Sequence, residues 1–427
     1  MIERLRWTTF SSYITILLLL TLLTLSSLSE AAMPERRRPQ FQKESGYYII
    51  PTPYSLPGIG QGLALGAVVT NISNTYTDAY GFALTGDLAG FGGAVADIHL
   101  IPETLILDLN TENLSRARIT NYSQRGMKSE KDDFTLLDIG DINFYGARLT
   151  STFFNRRLEI YGSGYASSSR LERIRDNSGK TILEAENPES GSSQTFVLGT
   201  RVDITDDYSD PRKGLRLDIS GWWSPPRRVK APDYYIMEYN ATGYIPIGER
   251  STWVFNYFRS AASVIRRGET ERTMIEEEQG LDCGSIEDPK QKRFCQQVID
   301  NTIAANTYGT ASTLGGRSRL RSYPQDRYSG AHTLFYGTEL RWNLTEEFTP
   351  FNIYIMKDIR TALQVALFYE IGSVADEQSE LGNIMKSSYG AGFRMVTASG
   401  IIFRADVATG NEGTETTIII GYPWEPL

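Results

Sequence analysis

From Thr200 onward the chain alternates apolar and polar residues with period two. Val202 and Ile204 share one face, and Arg201 and Asp203 the other. Leu215 to Ile219 repeats the pattern with Arg216 and Asp218. In the stretch from Leu363 to Gly372, Leu363, Val365, Leu367, Tyr369 and Ile371 lie opposite Gln364, Ala366, Phe368, Glu370 and Gly372. From Ile401 to Ala408 the charged Arg404 and Asp406 again share a face. Side chains of a strand point alternately to its two sides, so this spacing predicts strands. They fall near 193–205, 213–224, 234–246, 251–265, 331–343, 361–374, 388–397, 400–409 and 415–424. The first half adds strands near 61–70, 79–88, 91–100, 103–110, 142–154 and 156–168. The stretch from Glu112 to Phe134 reads as one loop or as a loop enclosing one more strand.

Faces with several charges need an explanation. In a soluble sandwich they would meet water; in a membrane barrel they line the lumen while the apolar face meets lipid. Four features favour the barrel. The strands are about ten residues long, as a tilted membrane crossing requires. Aromatic residues recur near strand ends, among them Trp222, Trp223, Tyr234, Tyr235, Trp342 and Trp424, as interfacial girdles do. Short turns alternate with long polar loops. No later apolar helix follows the N-terminal one. The expected fold is all-β: a transmembrane antiparallel β-barrel of sixteen strands over 61–427, since lipid-exposed sheets must close and single-chain bacterial barrels are even-numbered.

The remainder of the chain sharpens this picture. Arg4 and Arg6 precede an apolar run from Tyr13 to Leu28 that exits through Ala31 and Ala32. This is the form of a cleaved secretory signal peptide over 1–32, in preference to an uncleaved anchor, because Thr21, Thr24, Ser26 and Ser27 interrupt the run. Residues 33–60, with Arg36, Arg37, Arg38 and several prolines, read as a short periplasmic or flexible segment. Over 427 residues the net charge is −8, with no strongly basic half, which disfavours nucleic acid as a partner. Mean hydropathy of −0.30 is too polar for a bundle of membrane helices. The only histidines are His99 and His332, so neither a histidine-rich metal site nor a catalytic triad is favoured. No enzyme activity, catalytic residue, metal or cofactor is expected.

The longest polar stretch runs from Arg266 to Ser329. It is expected to be an extracellular loop that folds back into the lumen. Its part from Arg266 to Thr313 has helical spacing between Asp288 and Ala305, and it reads either as a solvated excursion or as a gating or partner element. Cys283 and Cys295 lie close together in it, and an oxidising compartment would join them as a disulfide.

Leu314-Gly315-Gly316-Arg317-Ser318-Arg319-Leu320-Arg321-Ser322-Tyr323 resembles the signature loop of the Omp85 superfamily, also called bacterial surface antigen D15. That loop carries Gly-Gly, a spacer, an apolar residue, Arg, Gly and an aromatic; Ser322 stands in place of the last Gly. Other elements follow in the family's order. Asp206 to Arg216 resembles its Asp-rich Pro-x-x-Gly turn, Tyr336 to Arg341 its Glu-x-Arg strand, and Phe368 to Gly372 its Phe-x-Asp-x-Gly strand, with Glu370 replacing Asp. Tyr389 to Arg394 and Gly400 to Asp406 resemble the closing hairpin.

The resemblance implies that Gly315, Gly316, Arg321 and Tyr323 form a lumen loop motif whose arginine meets Glu370 on the inner wall. Glu339 and Arg341 share that polar face and would join the pair. The resemblance also implies an outer-membrane barrel of a Gram-negative-type bacterium that aids insertion or translocation of polypeptides or lipids. Its partners would be outer-membrane lipid and a separate periplasmic subunit or polypeptide substrate. The alternative is a passive pore or surface receptor. Family members carry periplasmic POTRA domains of on the order of 75 residues each. Too little chain precedes the first expected strand for one, so a barrel-only member is expected. Trp424 is near the end of the chain, followed by Pro426, and the last strand is expected to pair weakly with the first or to end in a frayed tail.

Overall fold

The computed structural model describes residues 45–122, 124–184, 190–279, 282–345, 351–353, 356–359, 361–397 and 402–424. The expected signal peptide over 1–32 lies outside the described residues.

The first seven strands are β1 (Gly46–Leu56), β2 (Gly60–Thr70), β3 (Asp78–Gly86), β4 (Ala89–Ile101), β5 (Leu105–Tyr122), β6 (Phe134–Phe153) and β7 (Leu158–Arg175). A short strand β8 (Thr181–Glu184) pairs with β7. Next come β9 (Ser190–Asp203), β10 (Gly214–Trp223), β11 (Asp233–Ile247), β12 (Ser251–Arg266) and β13 (His332–Asn343). After β14 (Phe351–Ile353) and β15 (Met356–Ile359), a separate small hairpin, the chain ends in β16 (Thr361–Ala375), β17 (Lys386–Thr397), β18 (Ile402–Gly410) and β19 (Gly413–Ile420). Apart from β8, β14 and β15, each strand pairs antiparallel with the next, and β19 pairs back to β1. The result is a closed antiparallel barrel of sixteen strands.

The barrel begins fifteen residues earlier in the chain than expected. Gly46–Leu56 lies within the stretch read as flexible, yet it pairs with β2 from Gly46↔Thr70 to Leu56↔Gly60. Pro51, Pro53 and Pro57 hid it. Proline is tolerated at a strand edge, where a missing N–H costs no ladder bond. Most of the Glu112–Phe134 stretch, expected as a loop, is strand: β5 runs on to Tyr122 and β6 opens at Phe134, and among the described residues between them there is no additional strand.

Burial is inverted relative to a soluble protein. Leu198, Trp342 and Leu367 are 70%, 56% and 58% exposed on the outer wall. Arg321, Arg394, Glu339 and Glu370 are fully buried. The alternation therefore points its apolar face outward to lipid and its charged face inward. Aromatics border the apolar band at both rims. Phe196 stacks on Trp223 at one rim, with ring centroids 6.0 Å apart; Trp253 meets Phe255 near the other at 4.8 Å.

The loop between β12 and β13 is on the rim opposite the start of β1. Long loops are extracellular in such barrels, which sets the orientation. The loop opens with two helices, α1 (Arg272–Gln279) and α2 (Pro289–Tyr308). Glu269 accepts the backbone N–H groups of Thr270 and Glu271 ahead of α1. Those bonds, that from Glu271 foremost, hold its carboxyl below the usual range. The Asp288 carboxylate accepts the Gln291 N–H at 3.0 Å, Pro289 occupies the first helical position, and Gly309 at φ 76° ends the helix. Cys283 and Cys295 form a disulfide, and with Ile275 and Ile299 make a small core that joins the two helices.

Candidate functional site in the barrel lumen

Beyond Gly309 the loop turns into the barrel. Leu314 and Tyr328 exchange both backbone hydrogen bonds at 2.9 Å, which closes a narrow hairpin. Its tip depends on two glycines. Gly315 has φ 110°, and a Cβ there would fall 2.1 Å from the Pro324 carbonyl oxygen; Gly316 has φ 93° and a Cβ would fall 2.1 Å from Gln325 Oε1. Side chains other than glycine would be strained at both positions. The Gly315 N–H donates to the Arg319 carbonyl and the Gly316 N–H to the Tyr323 carbonyl. These bonds present Arg321 at the apex.

Arg321 uses both its main chain and its side chain on the wall. Its backbone N–H donates to Glu370 Oε2 at 2.9 Å and its Nε–H to Glu370 Oε1 at 2.8 Å. Nη1 donates to Asp406 at 2.7 Å and Nη2 to Glu339 at 3.2 Å. The guanidinium carbon lies 3.5 Å from the centroid of the Phe368 ring. The loop is thus tied to β13, β16 and β18 through one side chain. Arginine suits this task because its planar fork reaches several carboxylate oxygens at once.

Further arginines surround the same carboxylates. Arg341 Nε donates to Glu339 at 2.9 Å, and Arg394 bridges Glu339 and Asp406 at 2.9 and 2.6 Å. Arg404 donates to the Arg317 carbonyl at 2.6 Å. Removing one member would leave buried charge uncompensated, so the network acts as a unit. Glu370, Glu339 and Arg341, expected on one inner face, are all within this cluster. Asp406 and Arg394 were not assigned a role from sequence, although the shared polar face of Arg404 and Asp406 was already legible.

The neighbouring motif residues anchor the loop less strongly. Tyr323 donates its hydroxyl to the Ser387 carbonyl at 3.1 Å and packs edge-on against Tyr328. The Ser322 N–H donates to Ser388 Oγ at 3.0 Å. The unexpected serine fits because Gly410 lies opposite: a Cβ there would be 2.3 Å from Ser322 Oγ.

A second clasp grips the loop nearer the extracellular rim. Arg327 makes a bidentate pair with Glu412 at 2.7 Å to each oxygen, and also donates to the Ser129 hydroxyl and carbonyl. The Tyr328 hydroxyl joins Glu412 at 2.9 Å. Arg125 pairs with Asp376 and donates to Thr310 Oγ1 and the Gly309 carbonyl. No motif announced these contacts, because they join loops far apart in sequence.

Among the described residues no group of three or more His, Cys, Asp or Glu side chains is arranged to hold a metal ion. His99 accepts the Glu103 N–H through Nδ1 and stacks on Tyr76, while His332 begins β13, so the two histidines do not form one site.

A model of the Omp85 superfamily domain matches residues 104–417 of the chain. The chain belongs to the Omp85 superfamily. Solved structures similar to this Omp85 barrel share little sequence with it. BamA from Haemophilus ducreyi lacking POTRA domains 1-3 is 12% identical over 90% of this chain and 75% of that one, with a TM-score of 0.43. CdiB from Escherichia coli is 12% identical over 90% and 67%, at 0.46, and CdiB from Acinetobacter baumannii 11% over 88% and 65%, at 0.47. Comparison with curated proteins finds no match. As an Omp85 barrel the protein is an outer-membrane protein.

Proposed function

We propose that this barrel aids the insertion or translocation of polypeptides or lipids at the outer membrane of a Gram-negative-type bacterium, working through its seam. The observation that carries this reading is the contact between β1 and β19. Its register is the single pair Ser55↔Ile418, supported by a bond from Ser55 Oγ to the Thr416 carbonyl at 2.8 Å. By contrast β18 and β19 are paired from Phe403↔Ile420 to Gly410↔Gly413. Few ladder bonds need break for the seam to part, and a parted strand edge offers unpaired backbone groups to an incoming chain. The lumen, filled by the Arg321 loop, does not favour a standing open pore. The reading requires no cofactor and no covalent step. An incoming unfolded polypeptide and outer-membrane lipid are the partners it implies, and a separate periplasmic subunit could deliver the former.

The test joins the seam. Ser55→Cys with Ile418→Cys places two thiols on the one paired position. Proteoliposomes containing the wild type should speed folding of an unfolded outer-membrane barrel substrate. The oxidised double variant should lose that stimulation, and reductant should restore it. Stimulation that persists with the seam closed would exclude a seam route. No stimulation by the wild type, together with large steady currents in planar bilayers, would support the passive pore instead.

A further inference from the structure

The four described residues after β19, 421–424, are held in place. Gly421, at φ 102°, turns the chain off the sheet, and the next three residues enter the lumen. The Gly421 N–H still donates to the Ile402 carbonyl at 2.8 Å, which sets the point of departure. Tyr422 and Trp424 are 6% and 1% exposed.

Trp424 occupies a fitted slot. Its indole N–H donates to Glu370 Oε1 at 3.0 Å, the oxygen that also receives Arg321 Nε. Its carbonyl accepts the Asn240 side-chain amide at 2.8 Å, and Asn240 is itself held by Asn256. The ring packs against Phe335, with centroids 6.3 Å apart. Gly337 forms the floor: a Cβ there would fall 2.6 Å from Trp424 Cζ2. Trp424 itself adopts φ 70°, a conformation that a bulky residue keeps only when its surroundings over-determine it.

Tyr422 makes a second connection. Its hydroxyl lies 2.6 Å from Asp210 and 3.0 Å from Gln364 Oε1. The Arg341 guanidinium covers its ring at 3.8 Å and also holds Glu339. The segment therefore reaches Arg321 by two routes, through Glu370 and through Arg341 and Glu339. The same segment is covalently continuous with the seam strand β19.

We propose that Tyr422–Pro423–Trp424 is an intramolecular latch, a peptide ligand of a lumen slot built from Gly337, Phe335, Asn240 and Glu370. Seated, it ties the seam strand to the Arg321 lock, so that the barrel has one closed state instead of two independent closures. Movement of β19 at the seam withdraws Trp424, removes a hydrogen bond from Glu370 and loosens the loop. The inference rests on the seam of the proposed function but not on its cargo, because it concerns the closure of the barrel and not what passes.

The test uses single-channel recordings in planar bilayers and protease cleavage of the loop from 309 to 331. Trp424→Ala, and a chain stopped after Gly421, should give larger and steadier currents and faster loop cleavage. A synthetic peptide of residues 421–427 added to the stopped chain should restore the closed behaviour. Trp424→Phe keeps the ring contact with Phe335 but loses the N–H donor, and should fall between wild type and Trp424→Ala. Gly337→Ala should open the wild type yet change little in a Trp424→Ala background, because the slot is already empty. If the stopped chain fails to assemble, the Gly337 and Trp424 pair carries the test. Unchanged currents and cleavage in Trp424→Ala, or additive effects of the pair, would overturn the latch.

Discussion

Glu370 receives two hydrogen bonds from one residue: the backbone N–H of Arg321 on Oε2 and its Nε–H on Oε1. A carboxylate held this way reports the path of the loop backbone as well as the arginine charge. A lysine cannot reproduce it, since its ammonium is a single point with no fork.

Arg321→Ala should therefore destabilise the loop strongly. Glu370, Asp406 and Glu339 would keep their charges without their shared cation, a loss of about 3–5 kcal/mol for a buried pair. Arg321→Lys should recover only part of it. Melting of the barrel followed by heat-dependent gel mobility measures the cost. The double variant Arg321→Ala with Glu370→Ala should be less damaged than the sum of the singles. Additive losses would mean that the two act separately.

The rim clasp gives an independent handle on the loop. Arg327→Ala and Glu412→Ala each break the same bidentate pair. They should raise protease cleavage near Gly309 and lower the barrel melt, because Arg327 is fully buried, but by less than Arg321→Ala, because the Arg321 cluster stays whole. A melt lowered as far as in Arg321→Ala would show that the loop has one anchor and not two.

Gly315→Ala tests the hairpin backbone. An alanine at φ 110° is strained, and its Cβ would overlap the Pro324 carbonyl. A cost of order 1–3 kcal/mol is expected from the strain alone. The variant should lose loop protection without any change of charge. Normal protection would mean that the tip relaxes freely.

The outer wall makes an opposite prediction. Leu367→Arg puts a charge on a residue that is 58% exposed on the lipid face. Near the bilayer midplane this costs roughly 2–4 kcal/mol. Assembly into membranes should fall, whereas the same variant of a soluble protein surface would be nearly neutral. Undiminished assembly would place Leu367 in water and contradict the inverted burial.

The residues of the closing strands were legible because period-two alternation is a local property. Each of Leu363 to Gly372 declares its side of the sheet from its own neighbours alone. The first strand was hidden for the same reason in reverse. Gly46–Leu56 carries prolines that locally oppose a strand, and only its partner β2 overrides them. The motif loop with Arg321 and Glu370 was readable through family resemblance, whereas Asp406 was visible only as a charged face without a partner.

The sequence by itself determined the alternating strands and the cysteine pair within reach of each other. Those follow from backbone sterics and short spacing. Only the tertiary structure decided that Trp424 shares Glu370 with Arg321, that Arg327 finds Glu412, and that β1 meets β19 at Ser55 and Ile418. Such contacts join residues tens to hundreds of positions apart. They arise from closing the sheet, which brings far elements into one lumen and leaves buried charges to choose partners there.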